Sequence, residues 1–137
     1  MPAEQAGPLR DIKVLELAHV MAGPVCGLML ADLGANVVKV ERIPGGDDTR
    51  RMVPPEIGGE SAAFMMMNRN KRGIAIDLKS EDGKTVLRRL VAGTDVLIEN
   101  YRRGVMAKLG LGYEQLATIN PTLIYCEISG FGRTGPY

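Results

Sequence analysis

Residues 12–42 read IKVLELAHVMAGPVCGLMLADLGANVVKVER, and this stretch decides the fold. Residues 12–18 form a nearly unbroken apolar run, which is typical of a strand covered on both faces. The next segment is predicted to be a helix that begins at Pro24 and ends at Gly34. Four apolar residues recur along it at helical spacing. These four are Val25, Leu28, Met29 and Leu33. The β-branched residues 36–42 follow directly, so the stretch predicts a βαβ unit with two parallel strands.

The same alternation continues along the rest of the chain. Three later apolar runs are predicted to be strands: residues 73–78, 95–100 and 123–129. Helical patterns lie at residues 61–67, 80–93, 105–109 and 113–119. Residues 43–59 carry three prolines and four glycines and are predicted to be a long loop. The pattern predicts the α/β class: a single Rossmann-like domain over residues 1–137, with a doubly wound parallel sheet and helices on both faces.

Composition excludes several classes of function. The 137 residues include 17 lysines and arginines against 16 aspartates and glutamates, so no overall basic field favours a nucleic acid or an anionic membrane. Aromatic residues make up 4%, without tryptophan, which argues against a base-stacking surface. The apolar runs are too short to span a membrane. Cys26 and Cys126 lie in apolar runs without Cys-x-x-Cys spacing, which predicts core residues of a cytoplasmic protein and no metal site.

Cations gather where the predicted strands end. In a parallel sheet the carboxyl ends of the strands meet at one edge, and ligands bind there. Four of the five predicted strand ends are followed by a cation: Arg42, Lys79, Arg102 with Arg103, and Arg133. Since the chain as a whole is nearly neutral, this local concentration favours a phosphorylated or otherwise anionic ligand. A charged, solvated edge without a ligand is the structural alternative.

The first predicted turn leaves the kind of anionic ligand open. A dinucleotide site would have Gly-x-Gly-x-x-Gly after the first strand, and this chain has only Gly23 and Gly27 there. Arg42 follows the second strand, where an arginine accommodates a ribose phosphate. Both NADP and coenzyme A (CoA), whose ribose carries a 3′-phosphate, satisfy this pattern.

Other candidate residues have a structural explanation beside the functional one. His19, the single histidine, is a candidate general base or a histidine bonded to backbone. Asp47 and Asp48 are candidate paired carboxylates, or turn and capping residues. Residues 65–67 are three methionines that could line an acyl pocket or fill the core. A basic cluster could bind phosphates or be solvated: Arg69, Lys71 and Arg72.

Five segments, in order along nearly the whole chain, resemble one family. They are residues 15–24, 31–42, 68–79, 95–104 and 128–136. Their motifs LELAHVMAGP, ADLGANVVKVER, NRNKRGIAIDLK, DVLIENYRRG and ISGFGRTGP are similar to those of the class III CoA transferases. That family includes formyl-CoA transferase, the carnitine CoA transferases and the related alpha-methylacyl-CoA racemases. The segment NRNKR resembles the transferases more than the racemases.

The resemblance implies where CoA would bind. The matching residues are Val20 and Met21 in the first turn, Arg42 near the adenosine phosphate, Ile76, Asp77, Leu78 and Lys79 around the adenine, and Asn100, Tyr101 and Arg102 along the pyrophosphate. Lys108 stands where the transferases often have arginine, and Arg133 is expected at the mouth of the site. The resemblance also implies that the chain is the N-terminal part of a larger fold in which two subunits interlock.

The activity that the resemblance implies is transfer of CoA between an acyl-CoA and a carboxylate, through an aspartyl intermediate. In the family that aspartate lies downstream of GFGRTGP, so no catalytic residue is predicted in this chain and we expect it to be inactive alone. A racemase fragment and a non-catalytic CoA-binding or assembly module are the alternatives. The expected protein partner is a second copy or a separate C-terminal half, and we expect exposed apolar surface and an open sheet edge.

Overall fold

The computed structural model describes residues 7–136, and its strands form one large sheet and one small hairpin. In chain order the strands are β1 Lys13–Glu16, β2 Asn36–Glu41, β3 Glu56–Ile57, β4 Glu60–Ser61, β5 Arg72–Ala75, β6 Val96–Glu99 and β7 Ile124–Glu127. The large sheet has the order β5-β2-β1-β6-β7, and all of its neighbouring pairs are parallel. The predicted α/β class with a parallel sheet is confirmed. The order reverses beside β1, which is where such sheets bind ligands.

Helices connect these strands as predicted. They are α1 Ala22–Asp32, α2 Ala62–Asn68, α3 Glu81–Val91, α4 Val105–Lys108 and α5 Tyr113–Ile119. Ser80 begins α3 as expected, because its Oγ accepts a hydrogen bond of 3.0 Å from the backbone N–H of Gly83. Gly34 follows α1 with a φ of 98°, a left-handed conformation that glycine adopts without strain. Within residues 7–136 none of the helices is long and apolar enough to cross a membrane.

The sheet separates two apolar cores. Successive side chains of a strand point to opposite faces, so Val14 and Ile98 pack on one side of the sheet and Leu15 and Leu97 on the other. The side of Leu15 is covered by α3 and α5 and contains the larger core. The side of Val14 is covered by α1, and both cysteines pack there as half-buried free thiols.

The buried face of α1 differs from the predicted one. Of the four apolar residues that mark the predicted helix face, only Leu28 is buried, and the others are exposed: Val25, Met29 and Leu33. The helix instead buries Gly23, Gly27 and Ala31, which recur at every fourth position. A Cβ atom at Gly23 would lie 2.0 Å from Cβ of Ala18. The small residues therefore let the helix backbone approach the sheet, while Val25, Met29 and Leu33 are left exposed.

The long predicted loop contains short ordered elements. A 3-10 helix spans Asp48–Arg51, and β3 and β4 form the antiparallel hairpin that follows it. Of the three methionines that begin at Met65, only Met67 is buried. The core-filling interpretation is correct for Met67 and wrong for the other two.

Candidate functional site

A cavity of about 590 Å³ lies at the carboxyl edge of the large sheet. Its walls come from the segments that follow β1, β2, β5 and β6, so it occupies the edge where the sequence placed the cations. Nine of the twelve residues predicted to contact CoA line it: Val20, Arg42, Ile76, Asp77, Leu78, Lys79, Asn100, Tyr101 and Arg102. Val40, Val105 and Leu109 add apolar surface. The structure thus brings most of the predicted site together, although their contact with CoA stays a prediction.

Three predicted site residues lie away from this cavity. Met21 precedes α1 with 61% of its surface exposed, and Lys108 ends α4 as an exposed residue. Arg133 is turned toward the end of the sheet, where its guanidinium contacts the carboxylates of Glu99 and Glu127. These two acidic residues end β6 and β7, so pairing of neighbouring strands creates the acidic pair that holds Arg133.

Asn100 joins the two strands at which the sheet order reverses. Its side-chain oxygen accepts a hydrogen bond of 2.8 Å from the backbone N–H of His19, and its Nδ2 donates one of 2.8 Å to the carbonyl of His19. One amide side chain therefore satisfies both backbone groups of His19. This pair of bonds fixes the turn after β1 to the end of β6, and both segments line the cavity.

His19 and Tyr101 form a polar pair in the cavity wall. His19 Nε2 lies 3.1 Å from the Tyr101 hydroxyl, and the two rings are 5.2 Å apart. Burial lowers the pKa of His19, which favours the neutral imidazole. Burial also raises the pKa of Tyr101 to about 12. His19 Nδ1 has no hydrogen-bond partner among residues 7–136, so the ring does not form the bond to backbone that the structural alternative predicted, and it also lacks the partner that would orient a general base.

Asp47 is a buried capping residue, as the structural alternative predicted. Its Oδ1 accepts hydrogen bonds of 2.9 Å from both the backbone N–H and the hydroxyl of Thr49. It also accepts one from the backbone N–H of Val20, with 3.1 Å between the nitrogen and Oδ1. Burial raises the pKa of Asp47, but the hydrogen bonds from Thr49 and the nearby Lys39 ammonium have the larger, opposite effect and bring the pKa down to about 2. Asp47 does not pair with Asp48, which lies between the guanidinium groups of Arg42 and Arg51.

A chain of buried charges runs beneath the first turn. The Lys39 ammonium lies 2.9 Å from Oε1 of Glu16 and 2.9 Å from Oδ2 of Asp47. The Lys71 ammonium lies 2.7 Å from the other oxygen of Glu16 and donates to the carbonyl of Pro24. All four charged side chains are at least 98% buried. Two positive and two negative charges therefore compensate each other inside the fold, as buried charges require.

Neither interpretation of the basic cluster holds for Lys71. It is buried against Glu16, so it neither faces solvent nor is free to bind a phosphate. Arg69 contacts Asp32, and Arg72 donates to the side-chain oxygen of Asn36. The cluster therefore ties the segment before β5 to α1 and β2.

The cavity has apolar walls and a charged rim, to which the acidic residues Asp48 and Asp77 also contribute. Arg42, Lys79 and Arg102 line it, and Lys79 and Arg102 form no ion pair with any other part of residues 7–136. Glu41 also lines the cavity, but its carboxylate is held by Arg50 through two hydrogen bonds of 2.7 Å. The hydrogen bonds from Arg50 are the main reason that the pKa of Glu41 is lowered. The arrangement is suited to a ligand that joins phosphate groups to a flat apolar part.

Known proteins resemble this chain in both sequence and structure. The profile described as CoA-transferase family III matches residues 9–137. Succinate–glutarate CoA-transferase of Agrobacterium fabrum is 54% identical over 136 residues, covering 95% of this chain and 34% of that protein. Succinyl-CoA:glutarate CoA-transferase of Homo sapiens is 47% identical over 129 residues, covering 94% and 30%.

A solved structure gives the same correspondence in three dimensions. It is that of a CAIB/BAIF family protein from Brucella suis, with a TM-score of 0.91 and 52% sequence identity. The match covers 97% of this chain and 36% of that one. The chain thus spans about a third of the length of these relatives.

Proposed function

The chain belongs to CoA-transferase family III, and we propose that it is the CoA-binding N-terminal portion of an acyl-CoA:carboxylate CoA-transferase. The observation that carries the proposal is the cavity at the sheet edge, where apolar walls meet Arg42, Lys79 and Arg102. CoA combines a flat adenine with phosphate groups, so one ligand uses both kinds of surface. Relatives named for succinate and glutarate support a short dicarboxylate as the carboxylate acceptor.

The proposed placement of CoA follows the cavity walls. We place the 3′-phosphate at Arg42, the adenine against the segment Ile76 to Lys79, and the pyrophosphate along Asn100 to Arg102. The side chain of Asn100 is already bonded to His19, so its proposed contribution is to hold the turn after β1 in place. Tyr101 and Arg102 then supply the polar surface that the pyrophosphate meets.

Removal of the Arg42 guanidinium tests the placement of the 3′-phosphate. We expect Arg42→Ala to weaken CoA binding about tenfold, because a charged hydrogen bond at a half-exposed site is worth roughly 1.5 kcal/mol. The affinity for 3′-dephospho-CoA should not change. Titration calorimetry of both ligands measures the difference.

Arg51→Ala is the matched control for this experiment. Arg51 contacts the same carboxylate of Asp48 but does not line the cavity, so its removal should leave the preference for CoA over 3′-dephospho-CoA intact. NADP serves as the competing ligand. Equal binding of CoA and 3′-dephospho-CoA by the unmodified chain, or tighter binding of NADP than of CoA, would contradict the proposal.

For the transfer step we propose the aspartyl route that family membership suggests. An aspartate carboxylate attacks the acyl-CoA thioester and releases CoA thiolate, and the resulting anhydride is reopened by that thiolate to give an aspartyl-CoA thioester and the free carboxylate product. The acceptor carboxylate then reverses the two steps. Asp48 is held between two arginines, and Asp77 accepts a hydrogen bond from the backbone N–H of Lys79. We therefore place the aspartate that forms the intermediate outside residues 7–136.

We further propose that the protein works in the cytoplasm and that it associates, with a second copy or with a separate C-terminal half. The free cysteines support the first point. For the second, the large apolar side chains of Met29 on α1 and Ile124 on β7 are 63% and 62% exposed. Exposed apolar residues beside a sheet edge favour association.

Sedimentation velocity over a wide concentration range tests the association. We expect the average mass of the chain to rise with concentration, because Val25, Met29 and Leu33 leave one side of α1 apolar and exposed. A hydrophobic dye should bind to the dilute protein and be displaced as it associates. A monomer at every concentration without dye binding would show that residues 1–137 close their own surface.

A further inference from the structure

Val20 holds a backbone conformation that its side chain disfavours. Its φ is 66°, and within residues 7–136 Asn70 is the only other residue besides glycine with a positive φ. Asparagine tolerates this left-handed region, whereas a β-branched residue there is strained. Such strain persists only where surrounding contacts impose it, and it is concentrated at functional sites. Val20 lines the cavity in this conformation.

The backbone N–H of Val20 is held by a hydrogen bond to Asp47, next to the bonds with which Asn100 fixes His19. The backbone N–H of Val20 points at the Asp47 carboxylate, and its nitrogen lies 3.1 Å from Oδ1 and 3.3 Å from Oδ2. That carboxylate is fully buried, so no water competes for the bond. The Lys39 ammonium, 2.9 Å from Oδ2, keeps the carboxylate charged and in place. Lys39 is itself fixed by Glu16 and by the carbonyl of Ala18.

We propose that Asp47 and Lys39 are positioning residues for the cavity, which hold Val20 in the left-handed conformation that shapes the wall facing CoA. The inference rests on the proposed function for the identity of the ligand. It also links two parts of the site. Asp47 caps the 3-10 helix that begins with Asp48, and Asp48 contacts Arg42. Asp47 therefore holds both the turn after β1 and the segment beside the proposed phosphate contact.

The experiment compares two substitutions that each remove part of the Asp47 network. Asp47→Asn removes the charge that attracts the Val20 N–H and Lys39, and we expect CoA to bind about tenfold more weakly because the strained turn relaxes. Thr49→Val removes only the hydroxyl bond to the same Oδ1 atom, so it should leave CoA affinity within about twofold. Calorimetry measures both, and circular dichroism confirms that each variant is folded.

A glycine at position 20 separates positioning from general destabilisation. Glycine adopts a positive φ without strain, so Asp47→Asn should cost less CoA affinity in a Val20→Gly background than in the unmodified chain. The loss of melting temperature caused by Asp47→Asn should be at least as large in the Val20→Gly background, because no backbone strain is released there when the bond to Asp47 is lost. If Asp47→Asn does not fold, Asp47→Ser replaces it, because serine still caps the 3-10 helix but its shorter side chain withdraws from Val20.

Amide hydrogen exchange at Val20 gives a readout that needs no ligand. We expect the Val20 amide to exchange at least tenfold faster in Asp47→Asn and at an unchanged rate in Thr49→Val. Unchanged exchange, or an affinity loss that is identical in the Val20→Gly background, would overturn the inference. If the unmodified chain fails to bind CoA, the proposed function falls, whereas faster exchange confined to Asp47→Asn would still support the positioning of Val20 by Asp47.

Discussion

Lys39→Met should lower the free energy of unfolding by about 3 to 5 kcal/mol, since removal of one partner leaves buried charges without compensation. Methionine has nearly the length and width of the lysine stem, so the loss comes from the charge and not from a cavity. Glu16 would keep the Lys71 ammonium, whereas Asp47 would lose the only ammonium that it contacts within residues 7–136. Urea denaturation followed by circular dichroism measures the change.

Lys84→Met is the control for this substitution. Lys84 also forms an ion pair, 2.7 Å from Glu81, but that glutamate is 77% exposed. A surface pair of this kind contributes only about 0 to 1 kcal/mol, so the control variant should be nearly as stable as the unmodified chain. Equal stability of Lys39→Met and Lys84→Met would show that the buried carboxylates become protonated or hydrated at little cost.

The acid dependence of stability provides a second test of the buried charges. The pKa of Asp47 in the folded chain, about 2, lies below the ordinary value of 3.8, so protonation of this carboxyl favours the unfolded state. Its contribution to stability is complete above about pH 4 and is lost as the pH falls toward 2. Lys39→Met removes one cause of the lowered pKa. The stability of that variant should therefore depend less on pH between 4 and 2.

Local patterns in the sequence were sufficient to predict the sheet and its helix caps. Residues 95–100 contain β6, and Ser80 begins α3, because an apolar run and a capping side chain act over a few residues. The burial of α1 could not be predicted in the same way. The spacing of large apolar residues selects Val25 and Met29 as the buried face, whereas α1 packs through small residues. Whether a small residue is buried depends on how closely the helix approaches the sheet, which local sequence does not show.

The buried charges were missed although the sequence held a signal for them. Glu16 and Lys39 lie inside strands whose apolar runs predict cover on both faces, and a charge at such a position requires a partner. The identity of the partners could not be predicted, because Asp47 reaches Val20 from 27 residues away along the chain. The conformation of the loop at residues 43–59 brings Asp47 to Val20. The glycines and prolines of this loop predict that it is irregular, but they do not predict which conformation it adopts.

The candidate site was predicted from the resemblance more than from the pattern of residues. The ends of the predicted strands indicated that the site lies at the carboxyl edge of the sheet, with Arg42 and Lys79 beside it. The family motifs added the apolar residues around these cations. Arg133 does not line this cavity, so its place at the mouth of the site stays a prediction, and its contacts depend on which strands are neighbours. Glu99 and Glu127 are in register on β6 and β7, a pairing that follows from the strand order.

Gly27→Ala should destabilise the fold by about 2 to 4 kcal/mol, although alanine at a helix interior normally stabilises by about 1 kcal/mol. Gly27 lies within α1 where the helix covers the buried carboxylate of Glu16. A Cβ atom there would lie 1.9 Å from Oε2 of Glu16 and 3.5 Å from the Lys71 ammonium. Glu16 cannot move aside without leaving Lys39 and Lys71, so the helix or the ion pairs must give way.

Urea denaturation of three further variants separates this clash from the general effect of replacing glycine. A Cβ atom at Gly93 would meet nothing within 4 Å, so Gly93→Ala should leave stability unchanged or slightly raised. Glu16→Asp withdraws the carboxylate by one methylene, so the cost of Gly27→Ala should be smaller when the two changes are combined than when Gly27→Ala is made alone. Stabilisation of the chain by Gly27→Ala would mean that α1 can move away from β1, and the buried charges would then not fix the helix against the sheet.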